Sequence, residues 1–411
     1  MFDRLSRSGS RARLVFTALA VVLLVTAGCG STKGAAPAGG TVVIGLNNSD
    51  QGNGQDLAYF GNGIQAWAND VNARGGVAGH QIRIDRCNDQ ASEAGATFCT
   101  RQQVQNKDVV AAVGYSPFGG SIQGPTYGRA GVPYMQLGAR DKNSVDGSGS
   151  ALTVDPMSIG AFGGGLAHQF VQVMGKKKIA VIRIDSPSLE YPFTLLKQSV
   201  EMLGGTIVAD VRHPATTVDF SASVVQAQAA GADAVVGFET TPGYIRLLQA
   251  ATAQGLRVPF GASGPTLTPD LEKTIAATGS TMVLNAFIAD PETSNDPNLV
   301  AFRNAMTSSG YAGDIAKAGA VGAWAAGWVL ERAIAQIGSG EVSRAALMKV
   351  LTTNTLQQVP LFDGPVGRSN GTTQMPALGY SKTYIVTVDA QGRHYSSTPI
   401  DIHATLERMR L

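Results

Sequence analysis

Catalytic vocabulary is scarce in this chain of 411 residues. It has five histidines, His80, His168, His213, His394 and His403, and none stands at a spacing that would bring two onto one metal ion. No His-Glu-x-x-His run is present, and no glycine-rich loop ending in Gly-Lys-Ser or Gly-Lys-Thr, so zinc-hydrolase and nucleotide-phosphate readings find no support. Gly61-Asn62-Gly63 lacks the third glycine of a dinucleotide loop. Nothing in the sequence implies a cofactor, a metal or an enzyme. Charge of one sign is equally absent: 32 Lys+Arg face 30 Asp+Glu. The one cationic cluster, Lys176-Lys177-Lys178, directly precedes a β-branched run and reads as a solvated strand start. Without basic runs the chain has no electrostatic footprint for nucleic acid. Long apolar runs are missing too: after residue 28 none approaches the roughly 18 residues of a membrane helix.

What is there begins at the N-terminus. Arg4, Arg7, Arg11 and Arg13 precede an apolar run from Leu14 to Val25, the layout of a secretion signal. Thr26-Ala27-Gly28-Cys29 resembles a bacterial lipobox, which implies cleavage before Cys29 and lipid on its sulfur. Residues 29–40 are then a Gly/Ala/Ser/Pro-rich tether. The first 28 residues carry four arginines and one aspartate, so the remainder has a formal charge of −1. It is long enough for two lobes. With Cys29 assigned to lipid, Cys87 and Cys99 remain, and an exported chain can join them as a disulfide.

From residue 41 short β-branched runs alternate with amphipathic stretches. The pattern predicts strands at 41–46, 81–85, 109–114 and 132–136 and helices at 63–73 and 98–107. It restarts at 178–183, with strands at 206–210, 234–238 and 255–261 and helices at 191–203, 220–230 and 244–254. Helices follow at 299–308, 315–337 and 343–352, with strands near Val366 and at 382–388. Strand–helix alternation with short linkers means parallel sheets covered on both faces.

Gly75-Gly76-Val77-Ala78-Gly79-His80-Gln81-Ile82, after Asn69 to Arg74, resembles a signature of the leucine/isoleucine/valine-binding protein family. Val113-Gly114-Tyr115-Ser116, Gly131-Val132-Pro133 and Gly255-Leu256-Arg257-Val258-Pro259 match in order and spacing. The resemblance covers residues 41 to about 390. It implies an α/β type I periplasmic binding fold: two Rossmann-like lobes with parallel sheets, joined by three crossovers. By similarity the crossovers fall near 152–155, 284–287 and 362–365. Lobe 1 is then 41–153 plus 286–362, and lobe 2 is 154–285 plus 363–411. A ligand would lie in the cleft at the carboxyl ends of the strands.

The resemblance also implies ligand residues. The loop Tyr115 to Ser121 offers hydroxyls and free backbone amides, and Ser116, Gly119, Gly120 and Ser121 match the family's carboxylate loop. Ala139 and Arg140 match the second carboxylate position, with arginine where amino-acid binders carry Ser or Thr. Tyr191 matches a cleft aromatic, followed by Pro192 in place of glycine. The family's acid for a ligand ammonium is absent after Phe260, where Ser263 stands; Glu239 is the substitute source of that charge. Trp324 and Trp328 read as core. The function implied is a membrane-tethered, extracytoplasmic, monomeric binder of a small polar solute, such as an amino acid or related carboxylate or amide. It would deliver that solute to an ABC permease and ATPase. A sensor of the same fold, signalling to a membrane partner, is the alternative.

Overall fold

Eight residues with only the first exposed, Thr41–Asn48 (β1), open the fold. β1 lies between Gln81–Asn88 (β2) and Val109–Gly114 (β3), and the sheet continues through Tyr134–Leu137 (β4) to Leu152–Asp155 (β5). All four pairings are parallel, in the order β2-β1-β3-β4-β5. Helices Ala58–Ala73 (α1), Glu93–Gln105 (α2) and Gly124–Arg129 (α3) make the crossings. Ser92 caps α2 by accepting from the Gly95 amide (3.1 Å), with Glu93 in the favourable first turn. The computed structural model describes residues 39–411 apart from 53, 54, 140, 150, 156 and 289. The predicted signal, most of the tether, Cys29 and Arg140 therefore lie outside the described residues.

A second sheet repeats the device. Its strands are Lys178–Ile184 (β6), Thr206–His213 (β7), Ala234–Phe238 (β8), Phe260–Ala262 (β9) and Met282–Ala286 (β10). Between them run Glu190–Met202 (α4), Ser221–Ala229 (α5), Thr241–Ala253 (α6) and Pro269–Thr278 (α7). The chain then supplies Pro297–Ser308 (α8), Ala318–Ile337 (α9) and Arg344–Thr353 (α10), whose buried faces join the core of the first sheet. It returns as Lys382–Asp389 (β11) and Gly392–Tyr395 (β12). The order is β12-β11-β10-β9-β8-β6-β7, with Ile400–Asp401 beside β11.

This second sheet is mixed rather than purely parallel. β11 enters from the opposite end after the return and pairs antiparallel with β10, and a tight hairpin adds β12. The expected crossover at 284–287 is in part a strand, because β10 runs to Ala286 before the chain leaves the sheet. The expected boundary between 362 and 363 also does not coincide with a division of the cores. Val366 and Tyr380 belong to the first core, whereas Met375 and Leu378 belong to a core of the second. Val366 forms only an isolated bridge with Leu356. α7 and the glycine-rich turns at 157–173 were not anticipated from the sequence pattern.

α1 and α9 approach closely because side chains are missing at the contact. A Cβ on Gly327 would strike the Trp67 ring, and one on Gly63 the Ala320 carbonyl. Trp324 is fully buried, edge-on to Phe302 (5.8 Å) and to Trp328 (6.4 Å), so this aromatic pair belongs to the core. No helix among the described residues is long and apolar enough to cross a membrane.

Cys87 on β2 and Cys99 on α2 form a disulfide, with Cα atoms 5.6 Å apart and a sequence separation of 12. Cross-linking so short a loop restricts the unfolded chain modestly, for a gain of about 3 kcal/mol. Reduction, or a Cys87→Ser/Cys99→Ser double substitution, is expected to lower the unfolding free energy by about 2–3 kcal/mol. Denaturant titration with and without reductant checks this; coincident curves would contradict it.

Candidate functional site

Parallel strands end along one edge, and in the first sheet that edge is polar yet buried. Asn48, Ser49, Asp89, Ser116 and Gln136 are each at most 2% exposed. Asp89, just past β2, accepts from the Ser49 hydroxyl (2.6 Å), the Ala91 amide (2.9 Å) and the Gln123 amide group (3.1 Å). Gln123 accepts in turn from the Tyr134 hydroxyl (2.8 Å). One carboxylate thus ties together the segments that follow β1, β2 and β3, and through Gln123 it reaches β4.

The segment after β3 carries four of the nine residues expected to bind ligand. Ser116 is buried, and its hydroxyl accepts from the Phe118 amide (3.2 Å). Gly119 and Gly120 begin a π-type turn, Gly119–Gln123, pressed against one side chain on β4 and one beyond it. A Cβ on Gly119 would meet the Gln136 amide, and one on Gly120 would collide with the Asp141 carboxylate. Ser121 is exposed. Ala139 is fully buried. Beside it lies Asp141, which composition and resemblance had not singled out. Its Oδ1 accepts from the Ser144 amide and hydroxyl, both at 2.9 Å, capping the turn Lys142–Ser144. Burial pushes the Asp141 carboxyl above its ordinary range. Its signal in the sequence was only an acid next to the predicted Arg140.

Tyr191 reaches this region from the second lobe. It packs against the apolar cluster that contains Ala139, Phe162 and Phe238. Its hydroxyl is buried and has no hydrogen-bond partner among the described residues. Burial, then the charges of Asp141 and Asp146, raise its pKa. The structure therefore brings Gly120 against Asp141 and places Tyr191 against the apolar cluster that contains Ala139, while Ser116 and Gly119 lie on the adjoining turn.

Glu239 and Ser263 stand elsewhere on the second sheet's carboxyl edge. Glu239 follows β8 and meets His213, the last residue of β7, with Nε2 and Oε1 2.5 Å apart. β6 lies between those strands, so the pair spans its carboxyl end. The two side chains are 2% and 8% exposed, respectively. Burial raises the Glu239 carboxyl to about 7, against the pull of His213 towards ionisation. Glu239 thus already has a partner within the protein. Ser263 precedes a short turn, Gly264–Thr266, and its carbonyl accepts from the Thr266 amide (3.1 Å).

Two other features stand apart. Residues 367–371 spell Gly-Arg-Ser-Asn-Gly, the letters of a hydrolase nucleophile turn. Ser369 instead sits on a loop turn and shares a hydrogen bond with the Thr355 hydroxyl (3.0 Å), while Asn370 donates to the Pro365 and Gly379 carbonyls. The run is a loop staple. An open groove of about 680 Å³ follows α2, lined by Glu93, Phe98, Arg101 and Ile122 among others, outside the polar cluster. No group of three His, Cys, Asp or Glu side chains among the described residues is arranged to hold a metal ion.

The profile of a family described as periplasmic binding proteins matches residues 41–393. Among individual relatives, a Leu/Ile/Val-binding protein homolog of Brucella abortus is 27% identical over 279 residues, 62% of this chain. That match spans just under two thirds of the relative, 66% of its length. A branched chain amino acid ABC transporter structure from Thermus thermophilus with bound valine superposes with a TM-score of 0.72. It is 15% identical, covering 89% of this chain and 98% of that one. A solute binding protein from R. palustris in complex with benzoate gives 0.67 at 16% identity, covering 86% and 95%. At such identities the two structures speak for the fold: two α/β lobes of the type I periplasmic binding kind.

The Glu239–His213 pair sets a pH dependence. A carboxyl held at about 7 in the fold, against 4.5 as its ordinary value, keeps a proton that the unfolded chain releases. Its contribution to stability is therefore complete below pH 4.5 and is lost as pH rises through about 7. Glu239→Gln is expected to flatten that decline and to be more stable than the parent at pH 8, by about 1–3 kcal/mol. Thermal unfolding at a series of pH values measures it; an unchanged profile would count against the burial argument.

Proposed function

The chain belongs to the periplasmic binding protein family, and we propose on that premise that it captures a small polar solute and hands it to an ABC importer. The solute is an amino acid or a related carboxylate or amide. The predicted lipid on Cys29 would tether the protein to the outer face of the cell membrane, with permease and ATPase subunits as partners. The observation that carries the reading is the buried Tyr191 hydroxyl, which has no hydrogen-bond partner among the described residues and packs against the apolar cluster that contains Ala139. A buried hydroxyl without a partner is costly. A ligand that accepts its hydrogen bond, while the loop amides near Ser116, Gly119 and Gly120 hold another polar group, removes that cost.

Binding of this kind needs no catalysis. Closing the lobes over the solute excludes water and strengthens each polar contact. Micromolar affinity corresponds to about 8 kcal/mol, within reach of a few charge-assisted hydrogen bonds and some apolar burial. The joined faces of the closed lobes would then be what the permease recognises.

A thermal-shift screen of the protein lacking residues 1–28 against amino acids, amides, dicarboxylates and small aromatic acids is expected to give at least one stabilising ligand. Small-angle scattering should show compaction with that ligand. Tyr191→Phe is expected to weaken it about fivefold, the value of one hydrogen bond near 1 kcal/mol. Chemical turnover of the ligand, or binding without compaction, would defeat the reading.

A further inference from the structure

After β10 the chain leaves the second sheet for α8, and residues 290–296 on the way form a compact turn of their own. Asp290 Oδ1 accepts from the Glu292 amide (2.8 Å) and the Thr293 amide (3.2 Å). Asp296 caps α8 by accepting from the Asn298 amide (2.7 Å). Arg303, on α8, donates back to the Pro291 carbonyl (3.0 Å) and the Ser294 carbonyl (2.7 Å). Leu299 and Phe302 of the same helix sit in the core of the first sheet. The turn is thus built onto α8 and belongs mechanically with the first lobe.

One bond ties it to the second. Arg393 Nη1 donates to Glu292 Oε2 (2.6 Å), and among the described residues no other hydrogen bond or ion pair joins 290–296 to the second lobe. Arg393, on β12, is also held from behind. Its Nε and Nη2 donate to the two carboxylate oxygens of Glu272 on α7, the second at 3.0 Å. Leu271 of α7 and Tyr395 of β12 pack in and on a core of the second sheet. This asymmetry makes the tie releasable. A largely buried guanidinium stripped of every carboxylate would be costly. Arg393 is 19% exposed, but on losing Glu292 it keeps Glu272, and Glu292, 41% exposed, passes into water.

A gap of about 30 Å³, the volume of one water, lies at the same place. Leu284 and Val386 line it from the core of the second sheet, Phe287 and Val321 from the first, and Pro291 and Arg393 complete it. Close-packed interiors leave few such voids. The two cores abut here without interlocking, so the seam resists relative movement less than a fused core would.

We propose that residues 290–296 are a strap that moves with the first lobe, and that Arg393 is the latch fastening it to the second. Breaking the Arg393–Glu292 pair then frees the lobes to move against each other. The inference stands on the two-lobe fold and needs no ligand, so it goes beyond the solute-binding reading. A partly exposed pair of this kind shifts an equilibrium about two- to fivefold and is weakened by salt.

The test is pulsed dipolar spectroscopy on the protein lacking residues 1–28 and carrying Cys29→Ser. Nitroxides are attached at Glu341→Cys and Gln226→Cys, exposed positions on the first and second lobes. The native disulfide keeps Cys87 and Cys99 unlabelled. Glu292→Gln, which retains shape and loses charge, should raise the population of interlobe distances outside the parent's main peak about two- to fivefold. Glu292→Lys, which repels Arg393, should raise it further. Salt at about 0.5 M should do the same to the parent and add nothing in Glu292→Gln. Three results would overturn the proposal: distances in both variants that match the parent, a parent indifferent to salt, or a salt response undiminished in Glu292→Gln. The salt arm on the parent stands even if a variant does not fold. No ligand enters these measurements, so a failed ligand screen would remove the solute-binding reading alone.

Discussion

A single buried carboxylate organises the edge on which the candidate site is built. Asp89 forms no ion pair among the described residues; it is held by a hydroxyl, a backbone amide and a side-chain amide from three segments. Such a charge is tolerated inside a protein only when donors surround it. The chain meets that requirement by bending: Gln90 and Ala91 both take positive φ, 56° and 50°, which brings the Ala91 amide onto the carboxylate. Because Gln123 is one of the three donors, the turn bearing Gly119 and Gly120 is fixed by the same group.

The second lobe handles its buried polar groups differently. Arg183 is fully buried and bonds to Asp210 and Glu190, while the Phe193 ring lies 4.4 Å from its guanidinium. His213 and Glu239 satisfy each other. Among the described residues on that side, the buried polar atoms left without a partner are His168 Nδ1, Thr252 Oγ1 and the Tyr191 hydroxyl.

Much of this was legible in the sequence where the physics is local. β-branched runs marked β1, β3, β6 and β8 because strands buried on both faces need them. Counting cysteines paired Cys87 with Cys99, as found. The Ser-Gly-rich stretch after β3 could be read as a backbone-exposing loop. Other features depend on distant neighbours. Asp141 lies against Gly120, 21 positions upstream, and the His213–Glu239 pair bridges strands that are not adjacent. The resemblance places a crossover at 284–287, and β10, five residues buried on both faces, has no alternation that would mark it as a strand. α7 did carry local punctuation, with Thr268 accepting from the Leu271 amide and Gly279 left-handed at its end. The glycine-rich turns at 157–173 form against propensity, held by the apolar cluster around Phe162 and Phe170.

The passage between the lobes is laced rather than loose. Thr153 donates to the Ala377 carbonyl (2.7 Å) and accepts from the Gly379 amide (2.8 Å), so β5 and the returning chain run side by side as a two-ply ribbon. A ribbon bends readily about an axis across its flat face and resists shear and twist. A hinge laced in this way would let the two halves nod towards each other while resisting a slide of one past the other.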